Sequence, residues 1–481
     1  MDRADLIRYR EIINSGVVKW NRWRDDNPDV QPLLPGVDLS GKNLMGISLE
    51  KSVLYSAKLS KANLNHANCI GAEFGSADLS MASVVEADLA NAHLRDCDLS
   101  YARLSRADLC SCDMERANLT YARLDSAALE NADLAGANMT LADLSMAKLT
   151  NANLARSNFY QADLTEADLT GANLSEADFL EASLIRAKLQ NMDLSKASFR
   201  GADFTEAELE GSRLSKTKLE RASFRGANLR NVDFRSSVLI GVDFSNANME
   251  MADLRGADLS YSIFVNTNLR SANMAGCNIY GISAWDLTLE NANQQDLVIV
   301  PWHHYGHVEE RETLSLDNLE VAQFIYLIIR NEKLRSVIDT IAKKAVLILG
   351  SFSEERKHVL EEVKKELRRL DYLPIIFDFV KPSKRDFTET ISLLAGLSRF
   401  IIVDITEPRS VPQELHAIVP NLNVPVKPIL QRDEKEYGMF GDFKKYPWVF
   451  GVYHYKDSES LVKELSAIAS SVDSFVNTRG E

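Results

Sequence analysis

The sequence has no apolar run long enough to cross a bilayer. The longest, Phe324-Ile325-Tyr326-Leu327-Ile328-Ile329, is far shorter than the roughly 20 residues a membrane helix needs. The N-terminus, Met1-Asp2-Arg3-Ala4-Asp5, lacks a basic stretch followed by an apolar one, so no secretory signal is read there. Cysteine is scarce and odd in number: Cys69, Cys97, Cys110, Cys112 and Cys277. None stands at a paired metal-ligand spacing, and reduced thiols in a cytoplasmic protein are expected. Positive charge is short as well, with 55 Lys and Arg against 69 Asp and Glu, a net of −14. Direct binding of nucleic acid is therefore not the expected mode, although carboxylates can meet a protein that expects phosphates. No membrane partner, metal or bound cofactor is expected. What remains is an ordinary soluble composition over 481 residues, room for more than one folding unit.

Internal periodicity organises the larger part of the chain. A large apolar residue recurs every fifth position, from Leu39, Leu44 and Leu49 to Leu254, Leu259, Phe264, Leu269 and Leu289. Of about 51 such positions, about 43 hold Leu or Phe. Two residues earlier stands a small residue, usually Ala, as in Ala162-Asp163-Leu164. A period of five fits neither a helix at 3.6 nor a long strand at 2. It fits a short in-out-in extended step followed by a two-residue corner, with Ala and Leu inward and Asp or Asn outward. Four steps close a square coil of about twenty residues, and stacked coils pair at about 4.8 Å. Phe204, Phe224, Phe244 and Phe264 lie twenty apart, as do Phe159, Phe179 and Phe199, so each set is expected as a ladder of stacked rings. Nearly 13 coils give a rod of roughly 60 Å.

This pattern resembles the pentapeptide-repeat family, written A(D/N)LXX, over about residues 36 to 290. The resemblance implies a right-handed quadrilateral β-helix. Some members of the family inhibit or protect DNA gyrase by imitating duplex DNA. Open coil ends need covers, or rods would join end to end. Asp5 to Asn14 reads as an amphipathic helix, followed by Trp20-Asn21-Arg22-Trp23-Arg24 and by Pro28, Pro32 and Pro35. At the far end the motif decays at Ala284 and Gln294, and Trp302 with a helix starting near Leu316 is the expected second cap. Residues 36 to 290 hold about 34 acidic and 24 basic side chains. The stretch Arg213 to Arg235, with Lys216, Lys218, Arg221, Arg225 and Arg230, is locally basic and counts against uniform DNA mimicry. Aspartates before each Leu are read as motif residues, not catalytic pairs.

His303, His304 and His307 with Glu309 invite a zinc reading, but no fourth ligand or fixed frame is visible, and packing against the last coil is favoured. A helix from Ser315 or Asp317 to Arg330 and a second from Glu332 to Lys343 form a connector. From Lys344 strands and helices alternate. Ala345 to Leu349, Leu373 to Phe377, Phe400 to Val403 and Val426 to Leu430 read as strands. Glu354 to Leu370, Thr388 to Leu397, a segment from about Val411, and Ser458 to Ala469 read as helices. The order implies a parallel sheet covered on both faces, with a ligand site at the C-terminal strand ends, near Gly350, Ser351, Phe352, Asp378 and Asp404.

Three segments, Val346-Leu347-Ile348-Leu349-Gly350-Ser351-Phe352, Phe377-Asp378-Phe379-Val380-Lys381-Pro382 and Phe400-Ile401-Ile402-Val403-Asp404-Ile405-Thr406 before Ser410-Val411-Pro412-Gln413-Glu414-Leu415, resemble a bacterial Toll/interleukin-receptor (TIR) domain. Enzymes of that family cleave the nicotinamide–ribose bond of NAD with a glutamate on the helix after the third segment, and Glu414 is the matching position. A fixed carboxylate there would stabilise positive charge developing on the ribose. Gly350, Ser351, Phe352, Arg356, Asp378, Arg385, Asp404 and Ser410 are the expected nucleotide contacts, with Arg356 or Arg385 neutralising phosphates. The alternative for Glu414 is a first-turn carboxylate favoured by the helix dipole. The expected organisation is a helical cap over 1–35, the β-helix over 36–298, a helical connector over 299–343 and a TIR-like α/β domain over 344–475. Its expected function is an effector whose rod binds a protein or self-assembles and whose α/β domain binds and cleaves NAD or a related nucleotide. A non-catalytic adaptor and a gyrase-directed DNA mimic are the alternatives.

Overall fold

The computed structural model describes residues 3–299, 314–350, 353–376, 392, 394–407 and 411–479. The chain forms two compact units, Met1–Tyr326 and Leu327–Glu481.

The first unit is a coil with a repeat of twenty residues. Parallel bridges join the outward steps to the residue twenty further on, from Leu33↔Val53 to Asn278↔Val298, with one gap among the described residues, at Asn173 and Asp193. Inward positions fill the core: Leu54, Ala57, Leu59 and their equivalents are fully buried. At each corner the N–H of the fourth residue donates to the C=O of the first, as Ala57 N to Leu54 O at 3.0 Å. The third residue is left-handed, as Ser56 at φ 52°. That geometry is a type II turn. The aspartate or asparagine before each Leu accepts the N–H two residues on, as Asp78 Oδ1 from Ser80 N at 3.0 Å. It is an Asx turn that holds the corner, which explains the motif without chemistry. The phenylalanine ladders are present: ring centroids of Phe159, Phe179 and Phe199 are 4.4 and 5.0 Å apart. Those of Phe204, Phe224, Phe244 and Phe264 are 4.7, 5.5 and 4.9 Å apart.

Two helices, α1 (Arg3–Asn14) and α2 (Val17–Asp26), close the first coil. The sequence signalled the first helix but not the second. From α2 the Trp20 indole donates to Ser48 O at 2.6 Å and Asn21 Nδ2 to Gly46 O at 2.8 Å. Asn21 Oδ1 accepts from Ser48 N at 2.9 Å, and Arg24 Nη2 donates to Glu50 O at 3.0 Å. These backbone groups would otherwise face a missing coil. Near the other end, β1 (Ile263–Val265) pairs in parallel with β2 (Ser283–Trp285). Beyond it, β3 (Leu297–Ile299) pairs antiparallel with β4 (Leu314–Leu316). Helix α3 (Leu319–Arg330) follows, and its Gln323 accepts the Ala284 N–H at 2.9 Å. Asn318, rather than Ser315 or Asp317, caps that helix by accepting from Val321 N, while Asp317 accepts from Asp296 N. Trp302, His303, His304, His307 and Glu309 lie outside the described residues.

The second unit runs α4 (Glu332–Lys344), β5 (Ala345–Leu349), α5 (Glu354–Arg369), β6 (Leu373–Ile376), β7 (Phe400–Asp404), α6 (Val411–Ile418), β8 (Val426–Gln431), β9 (Tyr453–Tyr455) and α7 (Ser458–Arg479). Most of the segment expected as the helix Thr388 to Leu397 lies outside the described residues. The sheet is wholly parallel in the order β6-β5-β7-β8-β9. Its strands are apolar on both faces. Val346, Ile348, Phe400 and Ile402 pack with Leu360, Val363, Leu461 and Leu465 on one side. Leu347, Leu349, Ile401 and Val403 pack with Val411, Leu415 and Ile418 on the other.

Candidate functional site

In the α/β unit the strand order reverses between β5 and β7, which is where open parallel sheets receive ligands. Gly350 follows β5, and a Cβ there would stand 3.1 Å from Leu360 and 3.2 Å from Asp404, so glycine gives the tight approach its room. Asp404 ends β7 and is 1 % exposed. Its Oδ2 accepts from Arg356 Nε at 3.1 Å and Nη2 at 2.5 Å, and its Oδ1 from Thr406 N at 3.0 Å and Oγ1 at 2.6 Å. Arg356 Nη1 donates to Gln431 Oε1 at 2.8 Å, and Nη2 also reaches the Tyr455 hydroxyl. Burial works to lower the Arg356 pKa, but the Asp404 carboxylate outweighs it and holds the guanidinium above its ordinary value. Burial, then Asp404, raises the Tyr455 phenol.

Gly350, Arg356 and Asp404 thus come together as the sequence implied, but Arg356 spends its donors inside the protein. A side-chain lock joining α5, β7, β8 and β9 stands where a phosphate partner was expected. Glu414 lies in the first turn of α6, with its side chain outside the described set. Ser351, Phe352, Asp378, Arg385 and Ser410 also lie outside the described residues. Gln431 and Tyr455 escaped the sequence reading because they sit 75 and 99 residues from Arg356. Among the described residues no group of three His, Cys, Asp or Glu is placed to hold a metal ion. Nor is any described helix long and apolar enough to cross a membrane.

The rod surface has its own order. Some charges stack in columns twenty residues apart with opposite sign: Arg106 with Glu86, Arg116 with Asp96, Arg230 with Glu250, and Arg186 between Glu166 and Glu206. Others meet their like, as Asp88 with Asp108, Asp143 with Asp163 and Arg103 with Arg123. The arginines among them interrupt the unbroken acidic face that DNA mimicry would need. One corner is different. Met81, Tyr101, Tyr121 and Leu141 follow one another there at the coil repeat. The first three are 53, 52 and 45 % exposed, and the two tyrosine rings stack at 4.9 Å. Their spacing of twenty was visible in the sequence, but only inward ladders were sought.

A family model described as pentapeptide repeats (8 copies) matches residues 34–116, 117–156 and 217–283 in overlapping windows. A second, described as a pentapeptide repeat region, matches residues 157–234. The chain belongs to the pentapeptide-repeat family. Among solved structures, this pentapeptide-repeat chain is similar to HetL, involved in heterocyst differentiation regulation in the cyanobacterium Nostoc. The two are 30 % identical over 47 % of this chain and 89 % of HetL, with a TM-score of 0.25. The plasmid-mediated fluoroquinolone resistance protein QnrB1 is 18 % identical over 36 % of this chain and 84 % of its own, with a TM-score of 0.18. A pentapeptide-repeat protein of the Arabidopsis thaliana thylakoid lumen is 31 % identical over 24 % and 70 %, with a TM-score of 0.14. No curated protein matches the chain.

Proposed function

We propose that this pentapeptide-repeat protein is an assembly scaffold whose rod pairs with a second copy of itself. The carrying observation is the Met81–Tyr101–Tyr121–Leu141 corner, exposed at its first three residues and half-buried at Leu141. Exposed tyrosines offer large rigid contact area with a polar tip, the chemistry enriched at protein interfaces. The order apolar-Tyr-Tyr-apolar reads nearly the same in both directions. A two-fold axis between Tyr101 and Tyr121 would set each tyrosine against its counterpart and Met81 against Leu141 of the other copy, an isologous contact. The test is light scattering over a wide concentration range. The wild-type mass should rise with concentration, and Tyr101→Ser/Tyr121→Ser should weaken association at least tenfold. A wild-type chain that stays monomeric throughout sinks the reading.

A second reading concerns the α/β unit, which we infer binds NAD or a related nucleotide and cleaves its N-glycosidic bond with Glu414. Its support is the strand reversal beside Gly350 and Asp404, followed directly by the helix that carries Glu414, together with the TIR-like segments of the sequence. Water would deliver its oxygen to the ribose anomeric carbon as nicotinamide departs with its bonding pair, and the carboxylate would stabilise the cationic ribose between. Nicotinamide release should rise with protein concentration and fall at least a hundredfold in Glu414→Ala. Undiminished release from that variant removes Glu414 from the chemistry.

A further inference from the structure

From Gly36 to Asp296 every fifth residue occupies the left-handed corner position with a positive φ, with one exception, Lys196. Around it the coil is irregular. The bridge that would join Asn173 to Asp193 is missing from an otherwise continuous series. Also missing among the described residues are the ladder bonds from Glu176 N to Ser195 O and from Lys196 N to Ser215 O. A Ser195–Lys196 peptide plane turned over would account for these two losses, because it exchanges the directions of that C=O and that N–H. The bonds from Gly171 N to Gln190 O, Leu174 N to Asp193 O and Asp193 N to Ala172 O are missing as well among the described residues, so the irregularity extends along the turn. A nearby cause is in the sequence. Met192 fills an inward position whose neighbours twenty residues either side are Ala172 and Ser212, and an oversized side chain there displaces the coil.

The same corner disturbs a buried hydroxyl. Small polar side chains at inward positions regularly donate to the carbonyl 23 residues back, as Cys97 to Phe74, Ser212 to Leu189 and Ser262 to Leu239. For Thr217 that carbonyl belongs to Leu194, in the irregular turn. Its Oγ1 makes no hydrogen bond although the residue is only 2 % exposed. Ser52 is likewise unpaired, but its carbonyl would be that of Asp29, which precedes the coil. Thr217 lines a surface cavity of about 480 Å³ with Lys196, Lys216 and Lys218, and an adjoining one of about 600 Å³ is shared by Lys196, Lys216, Arg213 and Arg235.

Three lysines meet at this corner. Lys196 and Lys216 are consecutive in one corner column, about 4.8 Å apart at the backbone. Neither they nor Lys218 forms an ion pair among the described residues, whereas Arg213 is held by Asp193 and Arg235 by Asp233. Like charges stacked one rung apart repel unless an anion joins them.

We propose that this corner binds a compact phosphate-bearing small molecule. The lysine ammoniums neutralise the phosphate oxygens, while the freed Lys196 amide donates to them. The basic patch is only a few coils high; Glu176 and Asp178 line the same cavity as its lysines, and Asp253 pairs with Arg235 at its other side. An extended nucleic-acid backbone would run into those carboxylates, so a short ligand fits better. The site lies apart from the apolar corner of the same rod.

The test is calorimetric titration of the full chain with inorganic pyrophosphate and, separately, with a single-stranded oligonucleotide at moderate salt. Pyrophosphate should bind, weaken as salt is raised, and lose at least tenfold in affinity in Lys196→Gln/Lys216→Gln. Lys148→Gln, elsewhere on the rod, should leave binding unchanged. No pyrophosphate binding by wild type at millimolar concentration overturns the proposal. So does equal binding by the lysine double variant, or an oligonucleotide that binds more tightly than pyrophosphate.

Discussion

At each corner of the rod one dihedral decides which side chains the chain tolerates. The left-handed residues include Lys, Ser, His, Met, Glu, Asn, Asp, Tyr, Arg, Gln and Leu beside the glycines, with no Val, Ile or Thr among them. A branched Cβ in that conformation presses on the neighbouring carbonyl, and the cost is on the order of 1–2 kcal/mol per residue. Asn131, at φ 59°, faces solvent and makes a clean probe. Asn131→Val should lower the rod's unfolding midpoint by an amount corresponding to about 1–2 kcal/mol. Asn131→Gly should stay within about 0.5 kcal/mol of wild type, because the relief of strain offsets the added chain entropy. Equal midpoints for Val and Gly in urea unfolding would sink the strain argument. The lone departure, Lys196, gains weight against so uniform a background. Elsewhere on the surface, Asp and Asn close Asx turns, and several arginines meet a carboxylate one coil away, as Arg106 meets Glu86.

Elements differ in how far they could be read in advance. The coil was legible because its signal repeats about 51 times, so position, inward face and ring ladders all followed from one frame. The core strands of the α/β unit were legible as short apolar runs between charged helices. Helix α2 was not, because its apolar residues Val17, Trp20 and Trp23 alternate with charges too closely for a clear stripe. Strand β9 is three residues long and carries no periodicity. The Arg356–Asp404 lock was invisible for another reason: its members are distant in sequence, and only the fold makes them neighbours. Helix α2 supplies the sharper test. Asn21→Ala strips partners from Ser48 N and Gly46 O and should destabilise the rod by roughly 1–3 kcal/mol. Trp20→Ala also opens the buried coil end and should cost roughly 3–5 kcal/mol. With that end uncovered, the rods should associate end to end even in a Tyr101→Ser/Tyr121→Ser background. Sedimentation that finds the Trp20 variant both stable and monomeric would show that the cap is dispensable.

For the whole molecule, the two units differ in what holds them and therefore in what should loosen them. All five thiols belong to the rod, four of them buried at inward positions. Burial pushes Cys69, Cys97, Cys112 and Cys277 up to about 12. In the unfolded chain a thiol ionises near 8.5. Between those values the folded rod keeps protons that the unfolded chain has lost. The thiols' contribution is therefore fully present below about pH 8.5 and is lost as pH rises towards 12. The α/β unit has no cysteine. Its Tyr455 and Tyr372 are raised by burial, but their unfolded reference lies near 10, so their contribution begins to fall only above that pH. Thermal unfolding followed from pH 7 to 10 should show the rod's transition moving down from about pH 8.5, ahead of the α/β transition. Replacing the four buried cysteines with alanine, the residue that already fills most such positions, should flatten the rod's decline between pH 8.5 and 10. A decline that survives all four replacements would move its cause from the buried thiols to other groups of the rod.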